Sequence, residues 1–133
     1  MTRTTPRHRD DGAAAVELAL VLPLLLLLLF GIVDFGLMLN SQIVVTSAAR
    51  EGARAYVFTG SETTAKARVA SASSNLSGTV NATVTPCTGG QVTVVTTYEY
   101  SFVTPLSAVA GFFDGDLDDT VTLTGKGVMS CVS

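Results

Sequence analysis

LALVLPLLLLLLFGIV, from Leu18 to Val33, carries no charge. Asp34 interrupts it, and FGLML then continues to Leu39. The hydrocarbon core of a bilayer takes about 20 mostly apolar helical residues. Ala13 to Val33 supplies that length, with Glu17 its one charge. A helix apolar on every side needs cover on every side, and the rest of a 133-residue chain is too small to surround it. The stretch therefore reads as a membrane-spanning helix. Pro23 removes one backbone donor inside it, which membrane helices accept better than soluble ones do.

The flanks give an orientation. Arg3, Arg7 and Arg9 precede the run, and the first basic residue after it is Arg50. The excess of Arg and Lys on the cytoplasmic side of spanning helices places residues 1–12, a basic leader, in the cytoplasm. Residues 13–39 then form the span in the plasma membrane, and residues 40–133 an extracytoplasmic domain. A cleaved secretory signal is the main competitor. The run exceeds the usual apolar region of about 7–15 residues in such signals, and TSAA at Thr46 to Ala49 is a poor and distant cleavage site.

The totals narrow the function. Charged residues are 14% of the chain and the net charge is −3, so there is no basic stripe for nucleic acid. The only histidine is His8, in the leader. Catalytic or metal-binding chemistry would have to be built almost without imidazole, and neither G-x-S-x-G nor H-E-x-x-H occurs. No enzyme activity, small-molecule substrate, metal or cofactor is expected. The acidic DGDLDD at Asp114 to Asp119 lacks EF-hand spacing and a closing Glu, and reads as a solvated loop. Cys87 and Cys131 have no metal-ligand spacing. Outside the cytoplasm a single disulfide is their natural reading, against two unrelated thiols.

Past the span, helical spacing continues through SQIVVTSAAREGARAYVF, with Ile43, Thr46, Ser47, Ala49, Ala53, Tyr56 and Val57 near one face. A helix from Ala13 to Phe58 would reach nearly 70 Å at about 1.5 Å per residue. TGSE at Thr59 to Glu62 marks a turn, with Ser61 as N-cap of a second helix from Glu62 to about Leu76. Strands follow. Val80, Ala82 and Val84 alternate with polar residues; Val92, Val94, Thr96, Tyr98, Tyr100 and Phe102 share one face of the next; Val121, Leu123, Met129 and Cys131 share one face of the last. Between them, Leu106 to Phe112 has the content of a short helix. The fold class is α+β: a long N-terminal transmembrane helix extending outside the membrane, a short second helix, and a small antiparallel sheet of about three strands packed on the long helix, since a sheet that small needs cover.

Two carboxylates sit in unusual places. Glu17 starts an apolar helix, where the helix dipole favours a negative group. Either it reaches to interfacial water, or it pairs with a positive charge brought by a partner. A cut after Gly12 would create an amine at Ala13, and that amine on a neighbouring subunit would neutralise Glu17 at low dielectric. Asp34 marks either the outer edge of the bilayer or a contact with another membrane subunit. Arg50, Glu51 and Arg54 form a charged cluster, read as a solvated face with a local Glu51–Arg54 pair or as a surface recognised by an assembly partner.

These features converge. GAAAVELALVLPLLLLLLFGIVDFGLMLNSQIVVTSAAREGARA, from Gly12 to Ala55, resembles the N-terminal region of TadE-like proteins, pseudopilins of tight-adherence (Flp type IV) pilus systems. The markers are Gly12, Glu17, Pro23 in the leucine run, Asp34 in GIVDFG, and AAREGAR at Ala48 to Arg54. The resemblance implies processing by a prepilin peptidase between Gly12 and Ala13. It also implies a role in pilus assembly or as a minor filament component, with the bilayer and other pilin or pseudopilin subunits as partners. Major pilins usually begin with an aromatic residue or Met after the cut; Ala13 here fits a pseudopilin better. The alternative is a signal-anchored extracytoplasmic binding module that no prepilin peptidase processes.

Overall fold

A computed structural model describes residues 10–105, 108, 111 and 120–131. Residues 1–9 of the basic leader, DGDLDD and, apart from Ala108 and Gly111, the short helix expected at Leu106 to Phe112 lie outside the described residues. The described elements are two helices, α1 (Asp10–Thr59) and α2 (Glu62–Ala72), and three strands, β1 (Asn81–Thr88), β2 (Gln91–Ser101) and β3 (Thr120–Ser130). This is the expected α+β arrangement. At about 1.5 Å per residue, α1 is roughly 75 Å long, and it runs on through Pro23.

The upper half of α1 carries everything else. Gly60, at φ +63°, turns the chain out of α1 as left-handed glycines commonly do. Ser61 caps α2 by accepting the Thr64 amide at 3.3 Å. The second helix ends at Ala72, short of the expected Leu76. The Ser73 hydroxyl donates to the Val69 carbonyl at 2.8 Å, and a serine run that bonds its own backbone competes with further helix.

The strands form one antiparallel sheet in the order β1-β2-β3. Ser101 pairs with Thr120 at one end of β2 and Gln91 with Ser130 at the other. Along β2 the residues predicted to share a face, Val92, Val94, Thr96, Tyr98 and Tyr100, are all buried against the helices.

How the sheet meets α1 explains the small residues. Gly125 and Gly127 of β3 lie directly on the helix backbone. A Cβ at Gly125 would fall 2.7 Å from the Val45 carbonyl oxygen, and one at Gly127 would fall 2.7 Å from the Arg50 amide nitrogen. Strand and helix touch main chain to main chain, which only glycine permits. Gly52 makes room for α2 differently, with the Val69 side chain in the place of a Cβ. The helix face so covered is Ser41, Val45, Ala48, Ala49, Gly52 and Ala53. The face expected from spacing included Ile43 and Ser47, but Ile43 is 66% exposed and Ser47 is exposed. Close approach selected the smallest side chains rather than the most apolar. The Thr96 hydroxyl locks the junction by donating to the Val45 carbonyl at 3.0 Å.

Candidate functional site

Among the described residues, nothing covers the helix below Asp34. Val16, Leu18 and Leu20 are 61%, 59% and 76% exposed, and the leucines through Leu29 are largely bare as well. The helix is long and apolar enough to cross a membrane. Gly12, Ala13 and Glu17 all lie on this uncovered part and are exposed. Ala13 and Glu17 are one turn apart, about 6 Å along the axis. Their helix therefore presents a carboxylate and its preceding turn together on an otherwise apolar rod.

Asp34 is the next residue of consequence, and it is 1% exposed. Its cover comes from the segment after β2. The Val103 amide donates to its Oδ1 at 3.1 Å and the Thr104 amide at 3.3 Å. The Thr104 hydroxyl donates to Oδ2. The Tyr100 hydroxyl donates to the Asp34 main-chain carbonyl at 3.4 Å. Burial, the nearby Asp34 charge and Tyr98 all raise the pKa of the Tyr100 phenol. Asp34 is thus a clasp that ties the exit of β2 to α1. Sequence reading offered a bilayer edge or a subunit contact for it; the structure adds a bond within the chain that neither option contained. A buried carboxylate needs donors, so the residue type signalled the need. Nothing in the spacing pointed to Val103 and Thr104, about 70 residues on.

The third group is AAREGAR. Its small members, Ala48, Ala49, Gly52 and Ala53, are buried under the sheet and α2, while Arg50, Glu51 and Arg54 are exposed. The expected Glu51–Arg54 pair is not formed. Among the described residues the ion pair is Lys66–Glu62, at 2.7 Å on α2, and the Arg54 guanidinium sits instead 5.9 Å from the centre of the Phe58 ring. An aromatic face one turn on offers Arg54 a weakly hydrated cation site, in place of an exposed pair that contributes little. Arg50, Glu51 and Arg54 line a groove with Lys126, Val128 and Met129. Lys126 reaches it because Gly127 seats β3 against Arg50. That glycine-driven closeness is what sequence reading missed.

Cys87 and Cys131 stand at bonding distance, with Cα atoms 6.2 Å apart. Among the described residues no group of His, Cys, Asp and Glu could hold a metal ion.

Residues 12–54 match the family model described as TadE-like protein. The match begins at Gly12, takes in Glu17, the leucine run and Asp34, and ends at Arg54; it stops short of α2 and the sheet. It supports an association with tight-adherence pili in general, and it bears out the resemblance seen in the same residues. No curated protein and no solved structure matches the chain.

Proposed function

We propose that this chain is a minor pseudopilin or pilus assembly protein of a tight-adherence pilus or related secretion system, a structural component with no enzymatic activity. The observation that carries the reading is the match from Gly12 to Arg54 on one uninterrupted helix whose lower part no described residue covers. A prepilin peptidase removes the leader after Gly12. Glu17 then meets the new amine of Ala13 on a neighbouring subunit, a pairing that offsets the roughly 2.5–3.5 kcal/mol cost of a lone charge in the apolar layer.

The span itself is Ala13 to Val33. At about 1.5 Å per residue this is roughly 30 Å, the thickness of the hydrocarbon core. Phe35 to Leu39, read from sequence as the end of the span, then belong to the foot of the outer domain, because the Asp34 clasp and Met38 already pack under the sheet. The leader faces the cytoplasm and the sheet faces outward, where Cys87 and Cys131 form a disulfide.

The test is assembly in a cell that builds such pili. Glu17→Ala leaves the protein in the membrane but removes it from sheared filaments or abolishes filaments, and loss of the prepilin peptidase has the same effect. A chain that supports normal filaments in both cases is a signal-anchored binding module instead.

A further inference from the structure

β3 is an edge strand of the sheet, and its register shows which of its main-chain groups are left over. The Cys131 amide donates to the Gly90 carbonyl at 2.8 Å. Bonded and unbonded pairs alternate along an antiparallel ladder, so the bonded pairs below it are Met129–Val92, Gly127–Val94 and Gly125–Thr96. Thr124, Lys126, Val128 and Ser130 then turn their main-chain groups away from β2. One contact on α1 agrees. The Gln42 side chain donates to the Thr124 carbonyl at 2.9 Å, from the side that β2 does not occupy. One residue pair further up, Lys126 and Val128 have no such cap: among the described residues, nothing bonds their main chain on that side. The opposite edge is managed. β1 carries Pro86, which has no amide to offer an incoming strand, and α2 packs against it.

The uncapped stretch borders the groove of ≈ 560 Å³ that Lys126, Val128 and Met129 share with Arg50, Glu51 and Arg54. Three cations stand there with one carboxylate. Val128 and Met129 add bare apolar surface, 45% and 40% exposed. We propose that the Lys126–Ser130 edge of β3 takes up an extended, acidic segment of a partner protein as an added strand. An added strand gains affinity from main-chain bonds and selectivity from its alternating side chains. Here the amides and carbonyls of Lys126 and Val128 supply the bonds. Arg50, Arg54 and Lys126 select carboxylates in excess of the one that Glu51 already provides, and Val128 and Met129 accept apolar neighbours. A second copy fits this chemistry poorly. The edge its sheet has to offer is β1, which brings Asn81, Thr83, Thr85 and Pro86 and no carboxylate. The inference goes beyond the proposed function and needs neither the cut after Gly12 nor a filament.

The experiment uses the full chain in detergent and, as probe, a short synthetic peptide alternating glutamate with valine. Amide exchange reads the pairing, and anisotropy of labelled peptide reads the affinity. Without peptide, the Lys126 and Val128 amides exchange quickly. With peptide they slow, while those of Gly125 and Gly127, already bonded to β2, do not change. Binding weakens as salt shortens the screening length. A peptide with lysine for glutamate binds at least about tenfold more weakly, and so does one whose main-chain nitrogens are methylated, because it has no amides to give the edge. The double variant Arg50→Glu with Lys126→Glu reverses the preference between the glutamate and lysine peptides. Both residues are exposed, and a melting curve verifies that the variant folds. Slow exchange at Lys126 and Val128 before any peptide is added overturns the proposal, since the chain or a second copy then covers its own edge. So does a methylated peptide that binds as well as the plain one, which would leave charge attraction alone, or no binding of the glutamate peptide at low salt. A chain that stays uncut in cells but gains this protection would remove the proposed function and leave the strand site standing.

Discussion

Replacing Asp34 tests how the outer domain is fastened to its helix. Its carboxylate accepts from the Val103 amide, the Thr104 amide and the Thr104 hydroxyl at a site 1% exposed. Hydrogen bonds to a charged group contribute about 1.5–3 kcal/mol each. The sum overstates the loss, because Val103 is 72% exposed and water will re-solvate its amide once the clasp opens. Asp34→Ala should therefore cost about 3–4 kcal/mol, and Asp34→Asn, which keeps one acceptor oxygen, about 1–2 kcal/mol. For a domain of this size, 1 kcal/mol corresponds to about 4–8 °C in Tm. The expected losses are then at least about 12 °C for Asp34→Ala and about 4–16 °C for Asp34→Asn. The assay is near-ultraviolet circular dichroism of the full chain in detergent, which follows the packing of Tyr98 and Tyr100 and ignores the apolar helix below. Amide exchange at Val103 and Thr104 gives the local reading and should quicken in both variants. Asp34→Leu distinguishes the clasp from a bilayer edge: a clasp predicts a loss like that of Asp34→Ala, while a position in lipid gains from the apolar side chain. An unchanged Tm with unchanged exchange at Val103 and Thr104 would refute the clasp.

Other consequences follow from the same contacts. Gly127→Ala should cost about 2–3 kcal/mol, since the new Cβ meets helix backbone at Ala49 and Arg50; a Tm within error of wild type would show that β3 does not rest on α1. Cys131→Ser should cost about 4 kcal/mol in the chain-entropy model for a separation of 44 residues, read as a drop in Tm matched by reducing the wild type. Tyr100 gives a pH dependence. Its folded-state pKa is raised, so its contribution is full below the ordinary phenol value and is lost as pH climbs through the raised one. As pH rises past about 10 the wild-type Tm should fall, and that of Tyr100→Phe should fall less steeply; parallel curves would contradict the assignment.

Much of the fold was legible because its signals are local. The leucine run announces itself, Ser61 caps where it should, and the period of two in β2 placed every one of its buried residues correctly. The covered face of α1 was read partly wrongly because periodicity weighs side chains by hydrophobicity. What decided the face was a strand bearing Gly125 and Gly127, a partner about 80 residues away, for which Ile43 is too large. The candidate site divides the same way. Gly12 and Glu17 stand out in the sequence because a charge in an apolar run is conspicuous. The donors that bury Asp34, and Lys126 beside Arg50, depend on how β2 and β3 lie along the helix, which no spacing in the chain records.

The proposed assembly requires a cut between Gly12 and Ala13 that frees an amine to meet Glu17. Intact-mass measurement of the protein extracted from the membranes of its own cells examines this directly. A chain starting at Ala13, which reverts to the full-length mass when the prepilin peptidase is absent, is the predicted result. A membrane-bound chain that keeps residues 1–12 in cells with active peptidase and abundant pili would contradict it.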